Sequence, residues 1–267
     1  MSIATRNNVQ VHGSGPATLV LSHGFGCNQN MWRHLLALFG AHYRIVTFDL
    51  VGSGNADSAA YSRAKYSSLH GYAADLLEVI DATCDGPVIH VGHSVSGMIG
   101  LLAANDAPDR FKAQVMVGPS PCYLNDGAYV GGFARADIDD LLDAMANNYL
   151  GWSSSMAPTL MGAVHGAVLG DELQNSLLNN DPAIACHFAE VTFLSDHRAD
   201  LPRSTTPTLI LQSSADPVVP AAVGDYLHAH LANSALRVIG NVGHYPHMSA
   251  PVDSAAAIDE YLQRLYG

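Results

Sequence analysis

Short runs of apolar residues alternate with longer helix-like segments along most of the chain, the pattern of strands in a largely parallel sheet joined by helices. Strands are predicted at Asn8 to His12, Ala17 to Ser22, Tyr43 to Phe48, Pro87 to Gly92, Ala113 to Val117, Pro207 to Gln212 and Ala235 to Ile239. Most later runs, such as Pro87-Val88-Ile89-His90-Val91, are continuously apolar rather than alternating, as expected for strands buried on both faces. The turn His12-Gly13-Ser14-Gly15-Pro16 suggests a hairpin between the first two strands. Between Gly118 and roughly residue 200 the strand signal disappears, and segments near 136 to 149, 151 to 164, 170 to 179 and 182 to 194 read as helices. This block carries Tyr123, Phe133, Trp152, Met156, Phe188 and Phe193, which suits a lid over a site at the carboxyl ends of the strands better than a structural bulge. The expected division is a core of residues 1–121 and 199–267, with a helical insertion at 122–198.

Composition narrows the class. A chain of 267 residues with 48% apolar and only 13% charged residues can bury a substantial core, far from the signature of disorder. Twelve basic against twenty-four acidic residues, a formal charge of −12, argue against nucleic acid and anionic membrane surfaces as partners. Cys27, Cys84, Cys122 and Cys186 are widely spaced, with no zinc-ligand pattern, and read as reduced, mostly buried thiols. The polar start Met1-Ser2-Ile3-Ala4-Thr5-Arg6 lacks the apolar core of a signal peptide, no run is long enough to span a membrane, and a cytoplasmic location follows as the expectation.

The strongest chemical signal is Gly92-His93-Ser94-Val95-Ser96-Gly97, where a strand passes at once into a helix-forming run. A serine hydroxyl is a weak nucleophile until a base takes its proton, and a sharp strand-to-helix turn presents its oxygen to that base. Gly92 meets the turn's need for a small residue two before the serine; Ser96 stands where the usual motif has its second glycine. The plainer alternative for Ser94 is a capping serine. Asp216, after the strand ending at Gln212, and His244, after the strand ending at Ile239, follow in the order Ser, acid, His and at the same sheet edge. Singly, Asp216 reads equally as a turn residue before Pro217 and His244 as a surface loop histidine; order and placement together point to a triad. Asp126 and Asp196 are weaker candidates for the acid, Asp126 being the fallback.

Attack on a carbonyl builds negative charge on its oxygen, so two backbone N–H donors are needed. Val95 offers one, and Phe25 in the loop Ser22-His23-Gly24-Phe25-Gly26 is best placed for the other. Asp49-Leu50-Val51-Gly52-Ser53-Gly54 lacks the third glycine of a dinucleotide loop, so no nucleotide cofactor is expected. His247, three residues after His244 but across Pro246, has no third ligand nearby and reads as structural or pocket-adjacent, with no metal expected. His228 and His230, two apart on a predicted helix, point to different sides and face solvent.

Over nearly its whole length the chain resembles the α/β-hydrolase superfamily. Within it, His23-Gly24-Phe25-Gly26, Asp49 to Gly54, Gly92 to Ser96, Gly118-Pro119-Ser120-Pro121-Cys122, Gly131-Gly132-Phe133 and Gly243-His244-Tyr245-Pro246-His247 are similar to the group containing the bacterial stress-response regulator RsbQ and the plant strigolactone and karrikin receptors. Ser96 is similar to the plant receptors, while Gly118 to Cys122 looks more like the bacterial regulator. The resemblance implies an α/β-hydrolase fold, a mostly parallel central sheet flanked by helices, with a four-helix lid. It also implies a deep hydrophobic pocket lined by Phe25, Tyr123, Phe133, Trp152, Met156, Phe193 and Val218, Met156 standing where the plant proteins commonly have an aromatic residue. The leading expectation is a serine hydrolase of a small, largely apolar ester or lactone, needing no cofactor. The alternative is a slow-turnover receptor or signalling hydrolase acting through a protein partner. Dehalogenase and epoxide hydrolase chemistry generally uses a carboxylate nucleophile, which Ser94 is not.

Overall fold

In the computed structural model, which describes residues 1–162 and 167–266, seven strands form one sheet in the order β1-β3-β2-β4-β5-β6-β7. They are β1 (Gln10–His12), β2 (Ala17–Ser22), β3 (Tyr43–Phe48), β4 (Val88–His93), β5 (Phe111–Val117), β6 (Thr208–Ala215) and β7 (Ser234–Val242). All neighbours pair parallel except β1, which runs antiparallel to β3. Pro87 and Pro207 fall just outside β4 and β6, since proline has no N–H to give a ladder. β6 and β7 run beyond their apolar stretches because pairing, down to Ala215↔Val242, needs only backbone.

The expected hairpin between the first two strands does not form. β1 pairs with β3, as in Val11↔Val46, and β2 pairs with the other side of β3, so the glycine turn crosses the start of β3 instead of joining adjacent strands. Gly13 has φ +64°, and a Cβ on Gly13 or Gly15 would collide with backbone of Gly40, His42 or Tyr43. The glycines that suggested a tight turn serve this close crossing.

The longer helices are α1 (Arg33–Phe39), α2 (Leu69–Thr83), α3 (Val95–Asp106), α4 (Arg135–Asn147), α5 (Tyr149–Met161), α6 (Ala167–Leu178), α7 (Pro182–Phe193), α8 (Ala221–His230) and α9 (Pro251–Tyr266). α2 buries Leu69, Tyr72, Ala73, Leu76, Val79 and Ile80, a stripe at helical spacing, and packs on α3; α1 packs on α9. Every residue of β4 is buried, so both faces of the central sheet are covered. Four helices, α4 to α7, stand between β5 and β6, close to the predicted segments; positions 163 and 164 of the expected second segment, and Gly267 at the end of the expected core, lie outside the described residues. Asp181 starts α7, its carboxylate accepting from the N–H of Ala183 and Ile184 ahead of Pro182 in the first turn.

Candidate active site

Ser94 sits between the last residue of β4 and the first of α3 with φ +55° and ψ −121°. Among the described residues, it and Asn8 are the only non-glycine residues with positive φ, a conformation that costs an L-residue free energy and is held by its surroundings. Here the Ser94 N–H donates to the Val117 carbonyl of the neighbouring strand at 2.8 Å, and the Gly97 N–H donates back to the Ser94 carbonyl at 2.9 Å. A Cβ on Gly92 would overlap the Ser96 carbonyl, so the tightness of the turn itself requires glycine there.

The three residues singled out from sequence meet at the carboxyl edge of the sheet. Ser94 Oγ lies 2.8 Å from His244 Nε2, and His244 Nδ1 lies 2.8 Å from Asp216 Oδ2. Since only Nδ1–H can donate to the carboxylate, Nε2 is left to accept from the serine hydroxyl. Asp216 follows an irregularity in the β6·β7 register between Ser213 and Ala215, and its second oxygen accepts from the N–H of Val218 at 2.8 Å and Val219 at 3.0 Å. Val218, expected only as pocket lining, thus helps hold the Asp216 carboxylate. His244 is fixed through its backbone: its N–H donates to Leu160 in α5 at 2.8 Å, and its carbonyl accepts from His93 Nε2 at 2.9 Å. Gly118, with φ +57°, leaves room for the imidazole, for a Cβ there would stand 3.1 Å from His244 Cε1. A second serine–histidine contact, Ser22 Oγ to His90 Nε2 at 2.9 Å, is of another kind: both side chains are fully buried and His90 Nδ1 has no hydrogen-bond partner, so nothing orients it as a base.

Phe25 lies at the second position of a turn closed by the Cys27 N–H donating to the Gly24 carbonyl at 3.2 Å, with Gly26 at the third position, φ +70°. Such a turn makes no use of the N–H of its second residue. Val95 opens α3, where an N–H has no intrahelical acceptor. Around them the Phe25 ring packs on Trp152 (6.4 Å between centroids), Phe193 (6.1 Å) and Phe188 (5.6 Å), and Tyr123 packs edge-on to Phe193 at 5.0 Å. Phe133 and Met156 are half-buried against the same apolar cluster. The Tyr123 hydroxyl stands 3.5 Å from Ser94 Oγ, and burial pushes its ionisation up to about 12, so it stays protonated. The contact of Phe188 with Phe25 joins residues 163 positions apart, and sequence pattern carries no signal for it.

The remaining candidates fall elsewhere. Asp126 and Asp196 both pair with Arg198, at 2.8 and 2.6 Å. Asp49 is fully buried and holds loops together, accepting from the N–H of Gln29 and Asn55 and from Asn8 Nδ2. His247 is buried between Trp32 and His93, each 4.6 Å away by ring centroid, and burial lowers it to about 3, so it is neutral. His228 and His230 are exposed, bonded to Ser234 Oγ and the Tyr226 carbonyl. Three of the cysteines are buried and Cys186 is partly so, all free. Among the described residues no group of three or more His, Cys, Asp or Glu could hold a metal, and no helix is long and apolar enough to cross a membrane.

Sheet, helices and the strained serine turn define a class, and the comparisons agree with it: residues 17–251 match the model of the alpha/beta hydrolase fold, and the chain belongs to that family. Within it, the chain is 41% identical over 247 residues to a probable esterase of rice, Oryza sativa subsp. japonica, and 41% identical over 246 residues to the karrikin insensitive 2 receptor CA of Petunia hybrida.

Each of these matches covers 92% of this chain and 91% of the relative. Among solved structures, a hydrolase from Oleispira antarctica is 40% identical and superposes with a TM-score of 0.95, covering 98% of this chain and 96% of that one.

Proposed function

We propose that the protein is a serine hydrolase that cleaves a small, largely apolar carboxylic ester or lactone. The observation that carries this reading is the unbroken line Ser94–His244–Asp216, two contacts of 2.8 Å ending on a serine held in a strained turn. In the proposed reaction Ser94 Oγ bonds to the carbonyl carbon while His244 Nε2 takes the hydroxyl proton, and Asp216 steadies the resulting imidazolium. The oxygen charge settles between the N–H groups of Val95 and Phe25. As the tetrahedral adduct collapses, the bond to the alcohol oxygen breaks and His244 returns its proton to that oxygen, leaving an acyl-serine. Water then attacks the acyl carbon, giving its proton to His244, and the acid departs with Ser94 restored. Phe25, Tyr123, Phe133, Trp152, Met156, Phe193 and Val218 form the lining proposed for the substrate, and residues 122–198 the lid above it. A cytoplasmic location belongs to the same reading, and cell fractionation checks it.

A second reading, a slow-turnover receptor-type hydrolase passing its state to a protein partner, is supported by the receptor named among the relatives and by a hydrogen bond from the His244 N–H to Leu160 in α5. One experiment separates the two. Wild type and Ser94→Ala are given short-chain nitrophenyl esters and butenolide lactones, with turnover and intact mass followed. Fast multiple turnover lost in Ser94→Ala is the expected result for the enzyme; a persistent adduct on wild type selects the receptor; equal activity in both proteins sinks the mechanism.

A further inference from the structure

Ser96 departs from the usual glycine, and the proposed chemistry leaves its hydroxyl without a role. The side chain is fully buried, and its Oγ donates to the His23 carbonyl at 2.6 Å. It therefore ties the first turn of α3, next to the Val95 N–H, to the loop that carries the Phe25 N–H.

The same loop is held at two further carbonyls. His23 Nε2 accepts from the Leu50 N–H at 2.9 Å, which leaves the proton on Nδ1 to donate to the Gly24 carbonyl at 2.8 Å. In a planar trans peptide the C=O of Gly24 and the N–H of Phe25 point in opposite directions, so fixing one fixes the other. The Gly26 carbonyl accepts from Ser176 Oγ in α6 and from Asn180 Nδ2, both at 3.1 Å. Leu177 of α6 occupies the space a Cβ on Gly26 would need. Carbonyls 23, 24 and 26 are thus anchored by the nucleophile turn, by the loop itself and by an inserted helix.

We infer that Ser96 and Ser176 are positioning residues that hold the two ends of the segment from His23 to Gly26, and with them the direction of the Phe25 N–H. The inference rests on the hydrolase reading above and deepens it: the oxyanion donor is shared between the sheet and the inserted helices, so displacing α6 frees one end of the loop. Asn180 also bonds the Ser176 and Leu177 carbonyls at the end of α6, so its removal would disturb the helix as well, and Ser176 is the cleaner probe.

The test compares Ser96→Gly, Ser96→Ala, Ser176→Ala and Ser176→Thr with wild type on a short nitrophenyl ester. It also measures inhibition by an alkyl boronic acid, which forms a tetrahedral adduct on a serine. Loss of an aligned donor weakens the tetrahedral state more than the ground state. Both Ser96 variants are expected to lower kcat about tenfold with KM within about twofold, and to weaken the boronic acid by the same factor. Ser176→Ala is expected to lower kcat about threefold, since Asn180 still reaches Gly26, and Ser176→Thr to restore it. A purely structural role would lower the melting temperature and leave kcat of the folded protein and the boronic acid affinity alone. Unchanged kcat in the Ser96 variants and in Ser176→Ala, with Ser94→Ala inactive, overturns the inference and leaves the hydrolase reading standing. An active Ser94→Ala removes that reading first. If the Ser96 variants do not fold, the Ser176 pair decides, because that side chain is only partly buried.

Discussion

Helices α3 and α4 are nearly equal in length, twelve and thirteen residues, yet they are held in opposite ways. Every residue of α3 from Val95 to Ala104 is buried, whereas α4 buries only Ile138 and Met145. The helix behind Ser94 is fixed by apolar burial on all sides; the inserted helix is an amphipathic cover with most of its surface in water. Around Ser94 the two regions meet: Ser94, Ser96, His93 and His244 are buried and bonded to backbone of neighbouring elements, while the inserted helices reach them through the Leu160 and Ser176 hydrogen bonds and through Trp152, Phe188 and Phe193 packed on Phe25. In the hydrolase reading proposed above, the geometry that must hold to a fraction of an ångström rests on the helix least able to open, and α4 is the inserted helix with least to lose by moving.

The comparison can be broken most severely at Asp216. Asp216→Asn keeps shape but replaces the carboxylate that receives His244 Nδ1–H, and kcat on a nitrophenyl ester is expected to fall about a thousandfold or more with the fold intact. A loss under tenfold would mean that the buried half does not hold the base through this acid. Gly92→Ala probes rigidity directly, since the new Cβ overlaps the Ser96 carbonyl. A destabilisation of about 3 kcal/mol or failure to fold is expected, measured by urea unfolding; a mild effect would show that the serine turn can relax.

Acid stability tests the same half. Burial holds His90 and His247 down at about 3 and lowers His93 as well, so all three are neutral in the folded chain and take up protons once unfolded. Their contribution is complete above the unfolded histidine value, about 6.5, and is lost as pH falls from there towards about 3. Each costs up to about 1.4 kcal/mol per pH unit in that window. Unfolding midpoints measured at stepped pH should drop below about pH 6.5, and His247→Phe should flatten the slope. An unchanged slope would show that His247 is not neutral in the folded state. The smallest effect is expected where the halves meet. Arg33 makes a paired contact with Glu172 of α6, but both side chains are over a third exposed, so Arg33→Ala should cost under about 1 kcal/mol. A cost above about 2 kcal/mol would mean that the inserted helices are anchored far more firmly than their burial indicates.

Much of this was legible from local pattern. The positions of the strands, the four helices between β5 and β6 and the residues Ser94, Asp216 and His244 follow from apolar periodicity and from which residues stand just after strands, because both signals are carried by neighbours in the chain. What pattern missed is non-local. The Gly13–Gly15 turn reads as a hairpin until β3 is seen lying between β1 and β2. Ser96 reads as a blemish in a motif until its hydroxyl is found on the His23 carbonyl, and nothing near His93 in sequence tells that its ring reaches a carbonyl 151 positions away. The sequence by itself determined which segments become strands and helices and which side chains could carry chemistry. Tertiary structure alone decided which strands are neighbours, which carbonyls anchor the Phe25 loop, and that a serine and a histidine 150 positions apart stand 2.8 Å from each other, since such meetings depend on the packing of whole elements rather than on any stretch of chain.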